Sequence, residues 1–189
     1  SIKTEAGEAV DAVALTYRTP ELSHDTVDMP NVQLITANPD AMEQGYTLLS
    51  IRRSSLNRQH WATPAQSEFE ERWGLIAAFD EEGEVVWTYL SDARIAGIHQ
   101  LKNGNLFFHY VDFRTVEMDM CGTIVRQFHA ANRPYGPISN SIPIEAESLH
   151  HQPHELANGN FLALTANVRE IENYYSDIVD KSAPRKTQR

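Results

Sequence analysis

One cysteine in 189 residues, Cys121, leaves no partner for a disulfide within the chain. Positive charge is also scarce: 16 Lys and Arg stand against 26 Asp and Glu, a formal net charge of -10. Nucleic-acid binding and adsorption to an anionic membrane both need clustered basic surface, so the balance argues against each. An anionic small molecule is still admissible through a local basic pocket. No apolar run reaches the ~18 residues that a membrane-spanning helix requires. The opening Ser1–Glu5 lacks the apolar stretch of a signal peptide, as in a cytosolic chain or a mature chain whose leader is gone. Helical periodicity is nearly missing too, surfacing only briefly at Ser67–Trp73.

What is present is alternation and turn chemistry, in a chain 41% hydrophobic and able to build a core. Gly45–Ile51 reads as a strand, Ser54–Glu71 as a polar loop anchored by Trp61 and Phe69, and Gly74–Phe79 as a strand. Asp80–Gly83 reads as a hairpin turn into Glu84–Tyr89. Further strands follow over Ile95–Leu101, Asn105–Phe113, Arg114–Met120 and Thr123–Phe128. Ala130–Glu147 reads as a long loop, and Leu149–Leu156, Asn160–Val168 and Arg169–Tyr175 as more strands. Residues 1–44 read as an irregular arm and 45–189 as an all-β domain.

The pattern repeats. "HQLKNGNLFFHYVDFRTVE" from His99 and "HELANGNFLALTANVREIE" from His154 align without gaps, matching His99 with His154, Asn103 with Asn158, Gly104 with Gly159, Arg114 with Arg169 and Glu117 with Glu172. "FDEEGEVVW" and "MDMCGTIVR" match less fully. The Asn-Gly steps are expected to form type I′ turns, with positive φ at both central residues. Four short strands joined by tight turns make a propeller blade, and an internal repeat of such sheets favours a radial β-propeller. These residues supply two to three blades where a ring needs about 4–8. The expectation is a fragment whose remaining blades lie on a continuing or second chain, because open propellers leave apolar edges unpaired.

The ordered combination "GYTLLS", "GLIAAFDEEGEVVWTY", "GIHQLKNGNLFFHY" and "LHHQPHELANGNFLALT" resembles the bacterial arylsulfotransferase (aryl-sulfate sulfotransferase) family over about Gly45–Glu172. The resemblance implies a β-propeller of about six blades with its site on the central channel. It implies sulfuryl transfer from an aryl sulfate to a phenol, without a nucleotide donor and without a cofactor, through a sulfated histidine expected beyond Arg189. It also implies export to the periplasm or cell surface.

Such chemistry needs cations for the sulfate oxygens and imidazoles to move protons. By family match His151 is the favoured channel histidine, with His150, His99 and Arg169 as further catalytic candidates. His154, Arg114 and Tyr174 are candidates for substrate binding. Strand alternation puts His150, Gln152 and His154 on one side and His151 and Pro153 on the other, unless Pro153 breaks it. Because His99 and His154 recur in register, they also suit a repeated structural role. Arg114 and Arg169 also suit ion pairs with Glu117 and Glu172. His109 reads as half-buried, and His24, His60 and His129 as surface residues. Two alternatives stay open: a metal-dependent propeller lyase or hydrolase using the histidine cluster, and a non-catalytic ligand-binding propeller.

Overall fold

The computed structural model describes residues 29–55, 62–166, 169–177 and 179–188. Most of the expected arm, with His24, lies outside the described residues, as do His60, Trp61 and Val168. The chain divides into two compact units, Ser1–Gln33 and Leu34–Arg189. The second unit is nearly all strand: β1 Thr47–Ile51, helix α1 Pro64–Glu71, β2 Gly74–Phe79, β3 Val85–Ser91, β4 Ile95–Gln100, β5 Leu106–Tyr110, β6 Arg114–Met118, β7 Ile124–Ala130, β8 Ile142–Ile144, β9 His150–Glu155, β10 Phe161–Leu164, β11 Ile171–Tyr174 and β12 Lys186–Gln188.

These form a three-stranded sheet β1-β2-β3, a five-stranded sheet β4-β5-β6-β7-β8, and the pairs β9-β10 and β11-β12. All pairings are antiparallel except β7 with β8. Strand β9 packs against β4 and β5, just as β4 packs against β1 and β2. The step from one sheet to the next therefore recurs.

Both faces of the central sheet are covered, which explains why β5, LFFHY, is buried at every position. Leu106, Phe108, Tyr110, Val116 and Met118 face the first sheet and join Ile76, Ile95, Trp87 and Tyr89 in the main core. Each such large apolar side chain contributes roughly 1.5–3 kcal/mol on burial. Phe107, His109 and Thr115 take the other face, where Phe107 meets Phe161 of β10 at 4.4 Å between ring centroids.

The tight turns differ from expectation. In Asp80–Gly83, Leu101–Gly104, Asp119–Gly122 and Leu156–Gly159 the fourth N–H bonds back to the first carbonyl, and the first N–H bonds the carbonyl of the residue after the glycine. Only the glycines have positive φ, between +81° and +87°. These are type I turns closed by a glycine bulge, not type I′ turns. Asn103 and Asn158 serve as side-chain acceptors instead, each taking the N–H two residues on. Asp80 and Asp119 do the same in the other two turns. The repeat thus comes from side-chain bonding plus one glycine per turn.

The Asn103 turn also anchors a buried charge. Glu117 is 2% exposed and accepts from Asn103 Nδ2 at 2.9 Å, Asn105 Nδ2 at 2.6 Å and the Arg126 guanidinium. Burial opposes its ionisation, but these donors outweigh burial and hold the carboxyl below its ordinary range.

Other departures have local causes. Part of the segment read as a polar loop is α1, started by a capping box in which Thr63 and Gln66 satisfy each other's N–H groups. Trp73, 5% exposed, is the buried anchor, whereas Phe69 is 47% exposed. Strand β5 stops at Tyr110, because Phe113 takes a left-handed φ of 63° in the turn to β6. Strand β11 pairs with β12, drawn from the basic tail, and not with β10. His129 is buried, with Nδ1 3.0 Å from Ser141 Oγ, and is not a surface residue.

Candidate functional site

Antiparallel order sorts the connections to two ends of the sheets. All four glycine turns fall at one end, tied across sheets by Trp87 Nε1 donating to the Met120 carbonyl and by the Lys102 N–H donating to Glu155 Oε2. The other connections, the longer ones among them, fall at the opposite end: residues 52–55 and 62–73, 92–94, 111–113, 131–141, 145–149, 165–166 and 169–170. Backbone bonds stitch that end together, from Arg94 N to Glu71 O, Val111 N to Arg94 O and Asn132 N to Ala146 O. Variable loops on a rigid frame are where sites are commonly built.

A cleft of about 680 Å³ opens there, lined by Phe113, Asn132, Pro134, Glu147, Ser148, His150, His151 and Ala166. Ser148 Oγ accepts the Ala166 N–H at 3.0 Å and so joins two of its walls. Between the lining residues Asn132 and Pro134, Arg133, 9% exposed, ties its loop down by donating to the carbonyls of Asp112 and Gly136. His150 and His151 stand with ring centroids 5.0 Å apart, nearly perpendicular.

The local backbone explains why both rings reach one cleft. Strand β9 bulges: Leu162 pairs with His154, yet Leu164 already pairs with His150. His151 sits in this bulge at φ 60°, a left-handed conformation uncommon for a residue with a Cβ. Strict alternation therefore fails, with Pro153 fully buried while His151 is exposed. Strand β4 bulges at Gly97, φ 57°, and the two bulges abut. A Cβ on Gly97 would lie 2.7 Å from Gln152 Cα and N and 2.9 Å from His151 C. Bulges beside sites commonly re-aim a side chain, and left-handed non-glycine residues gather where structure enforces them for function. Phe113 is the second such residue lining this cleft.

The structure also brings His99 and His154 together, with ring centroids 4.9 Å apart. They form a pair of their own, and neither lines the cleft that holds His150 and His151. Burial, then His154, lowers the His99 imidazole below its ordinary range, and Glu155 opposes the shift. Among the described residues no three His, Cys, Asp or Glu side chains converge as a metal-binding group. The four histidines thus form two ring pairs, His99 with His154 and His150 with His151.

The Arg114 side chain is no part of the cleft lining. Its Nε is 2.8 Å from Asp112 Oδ2 and its guanidinium covers Tyr110 at 4.4 Å, on the face toward the first sheet. It does not pair with Glu117, whose cationic partner is Arg126. Tyr174 is on β11 against Tyr175, at 6.2 Å between rings, and is no part of the cleft lining. Arg169 is exposed, three residues past Ala166 of the cleft wall, and makes no ion pair among the described residues.

His109, expected to be half-buried, is fully buried. It is 1% exposed, on the face of β5 turned toward β9, with Nδ1 bonded to Thr115 Oγ1 and Nε2 without a hydrogen-bond partner among the described residues. Burial first, then His150, pushes its imidazole down to about 4; His151 adds to this and the Arg114 backbone opposes it. A signal existed in the sequence: His109 breaks the repeat, its counterpart being Leu164.

Among the described residues no helix is long and apolar enough to cross a membrane. The family model described as arylsulfotransferase (ASST) matches residues 31–182. No curated protein matches the chain. A solved structure titled as a protein of unknown function from Bacteroides caccae is similar at 14% identity, with a TM-score of 0.34, over 53% of this chain and 34% of that one. The chain thus spans about a third of that structure's length.

Proposed function

We propose, from the premise that this chain belongs to the arylsulfotransferase family, that it transfers a sulfuryl group from an aryl sulfate ester to a phenol without a nucleotide donor. The observation that carries the reading is the His150–His151 pair in the long-loop cleft, with His151 held left-handed on a bulge buttressed by Gly97. In the reaction the bond from sulfur to the donor's aryl oxygen breaks, and its electron pair leaves with that oxygen. A bond from sulfur to the acceptor's phenolic oxygen forms.

His151 in this reading gives a proton to the leaving phenolate and takes one from the acceptor phenol, work suited to an imidazole. His150 supports it from the half-buried side. Arg169, exposed, without an ion pair among the described residues and close in sequence to the cleft wall, is the cation offered to the sulfate oxygens, since its fork fits two of them at once. Phe113 and Pro134 give the aryl ring an apolar wall. The His99–His154 pair supports the β4–β9 seam and touches no substrate. The covalent histidine is not assigned to any described residue. We further read the recurring sheet-to-sheet step as part of a β-propeller around a channel, in a protein that works outside the cytoplasm.

The test is release of a chromogenic phenol from its sulfate ester by the full-length protein. Release that depends on added acceptor phenol, with the sulfate recovered on that acceptor, is the expected result. Arg169→Ala should raise the donor KM at least tenfold. Release to water alone, or turnover that disappears with chelator, would replace transfer by hydrolysis or by metal chemistry.

A further inference from the structure

His109 is a buried, repeat-breaking imidazole to which the reaction above gives no part. Its ring is fixed at one nitrogen by Thr115 on the neighbouring strand, and its other nitrogen is buried with no hydrogen-bond partner among the described residues. A buried polar atom in that condition requires an explanation, because leaving it unpaired is costly. Its position supplies one. Across β4–β5, His109 pairs with Ala96, and the next residue, Gly97, packs on the His151–Gln152 backbone. In the following unit Leu164 takes the matching place, paired with His150. His109 therefore lies on the face of β5 that packs against β9, the strand of the cleft histidines, and after burial His150 is the side chain that acts most on its imidazole.

We propose that His109 is a positioning residue for the cleft: its Thr115-anchored ring presents Nε2 to His150, and so sets the ring tautomer of His150 and the orientation of the His150–His151 pair. The residues then form a file from core to solvent, Thr115, His109, His150 and His151. Beside these imidazoles, the ionisable side chain that shares the cleft at the solvent end of the file is Glu147. The proposal rests on the transfer reading only for its kinetic consequence; the structural consequence stands independently of it.

The test compares wild type with His109→Leu, His109→Gln and Thr115→Val. His109→Leu installs the side chain used at the matching place in the next unit. His109→Gln keeps a hydrogen-bonding end, and Thr115→Val frees the ring at nearly constant volume. The first readout is the ring-nitrogen resonances of His150, which report its tautomer. One tautomer in wild type, a mixture in His109→Leu and Thr115→Val, and recovery in His109→Gln are expected. In the full-length enzyme kcat should fall about ten- to a hundredfold in His109→Leu and Thr115→Val, with KM within twofold, since misplacement of a catalytic group has costs of that order. An unchanged His150 tautomer in folded His109→Leu or Thr115→Val overturns the proposal. If His109→Leu fails to fold, Thr115→Val decides alone. A tautomer change in a protein without sulfuryl transfer leaves the proposal standing and removes the transfer reading.

Discussion

Replacing Gly97 with alanine tests the abutting bulges. Two costs are expected. The first is conformational: alanine at φ 57° costs about 1–2 kcal/mol relative to glycine. The second is steric. The new Cβ would sit 2.7 Å from Gln152 Cα, about 0.8 Å inside the ~3.5 Å at which carbon atoms pack. The neighbours are backbone and can yield only if β9 retreats, so overpacking of about 1–3 kcal/mol is expected. Gly104 isolates the first cost: its φ is +87°, and an added Cβ meets nothing within 4 Å. Urea unfolding of wild type, Gly97→Ala and Gly104→Ala separates the contributions. Gly104→Ala should lose about 1–2 kcal/mol and Gly97→Ala about 2–5 kcal/mol, and only Gly97→Ala should shift the His151 resonances. Equal losses, with His151 unmoved in both, would refute the claim that the β4–β9 contact fixes His151.

Three other outcomes follow from the charges. His109 binds its proton in the folded state only at about 4, against 6.5 ordinarily, so the unfolded chain is protonated first as pH falls. Its contribution is complete above pH 6.5 and falls by about 2–3 kcal/mol by pH 4.5, a slope that urea midpoints should show in wild type and not in His109→Leu. Glu117→Gln keeps the asparagine contacts but loses the charge facing Arg126. It should destabilise by about 1–3 kcal/mol at pH 7, and by less in acid, because a depressed carboxylate contributes above its ordinary range and is lost as pH falls through the folded value. His154→Ala removes a group that lowers His99, so the His99 midpoint measured by NMR should rise.

Much of the frame was legible because hairpin chemistry is local. An aspartate or asparagine that caps its own turn, with glycine at the bulge, announces itself in sequence, and strands β2, β4, β6 and β9 lie where alternation put them. The turn type was misread because Asn-Gly suggests positive φ at both residues, whereas here the asparagine side chain bonds forward and only glycine turns left-handed. The α1 capping box was legible in Thr63 and Gln66, but the helix is too short for clear periodicity. The site was half visible. The histidines of β9 stood out by number, but which of them share a cleft depends on bulges in β4 and β9. A bulge is a tertiary compromise between neighbouring sheets, and counting by twos cannot foresee it. Arg114 shows the same limit: it recurs with Arg169, yet the β5–β6 register turns it toward Tyr110 and the first sheet. His109 hid in an apolar run because it fills a core position.

The most direct measurement is the turnover of a chromogenic aryl sulfate with a phenol acceptor by the full-length protein carrying His151→Ala, beside wild type and a folded control, His99→Ala. A loss of about a hundredfold or more in kcat for His151→Ala, with His99→Ala within a few-fold of wild type, is the predicted result. Undiminished transfer by a folded His151→Ala protein would contradict it and move the chemistry away from this cleft.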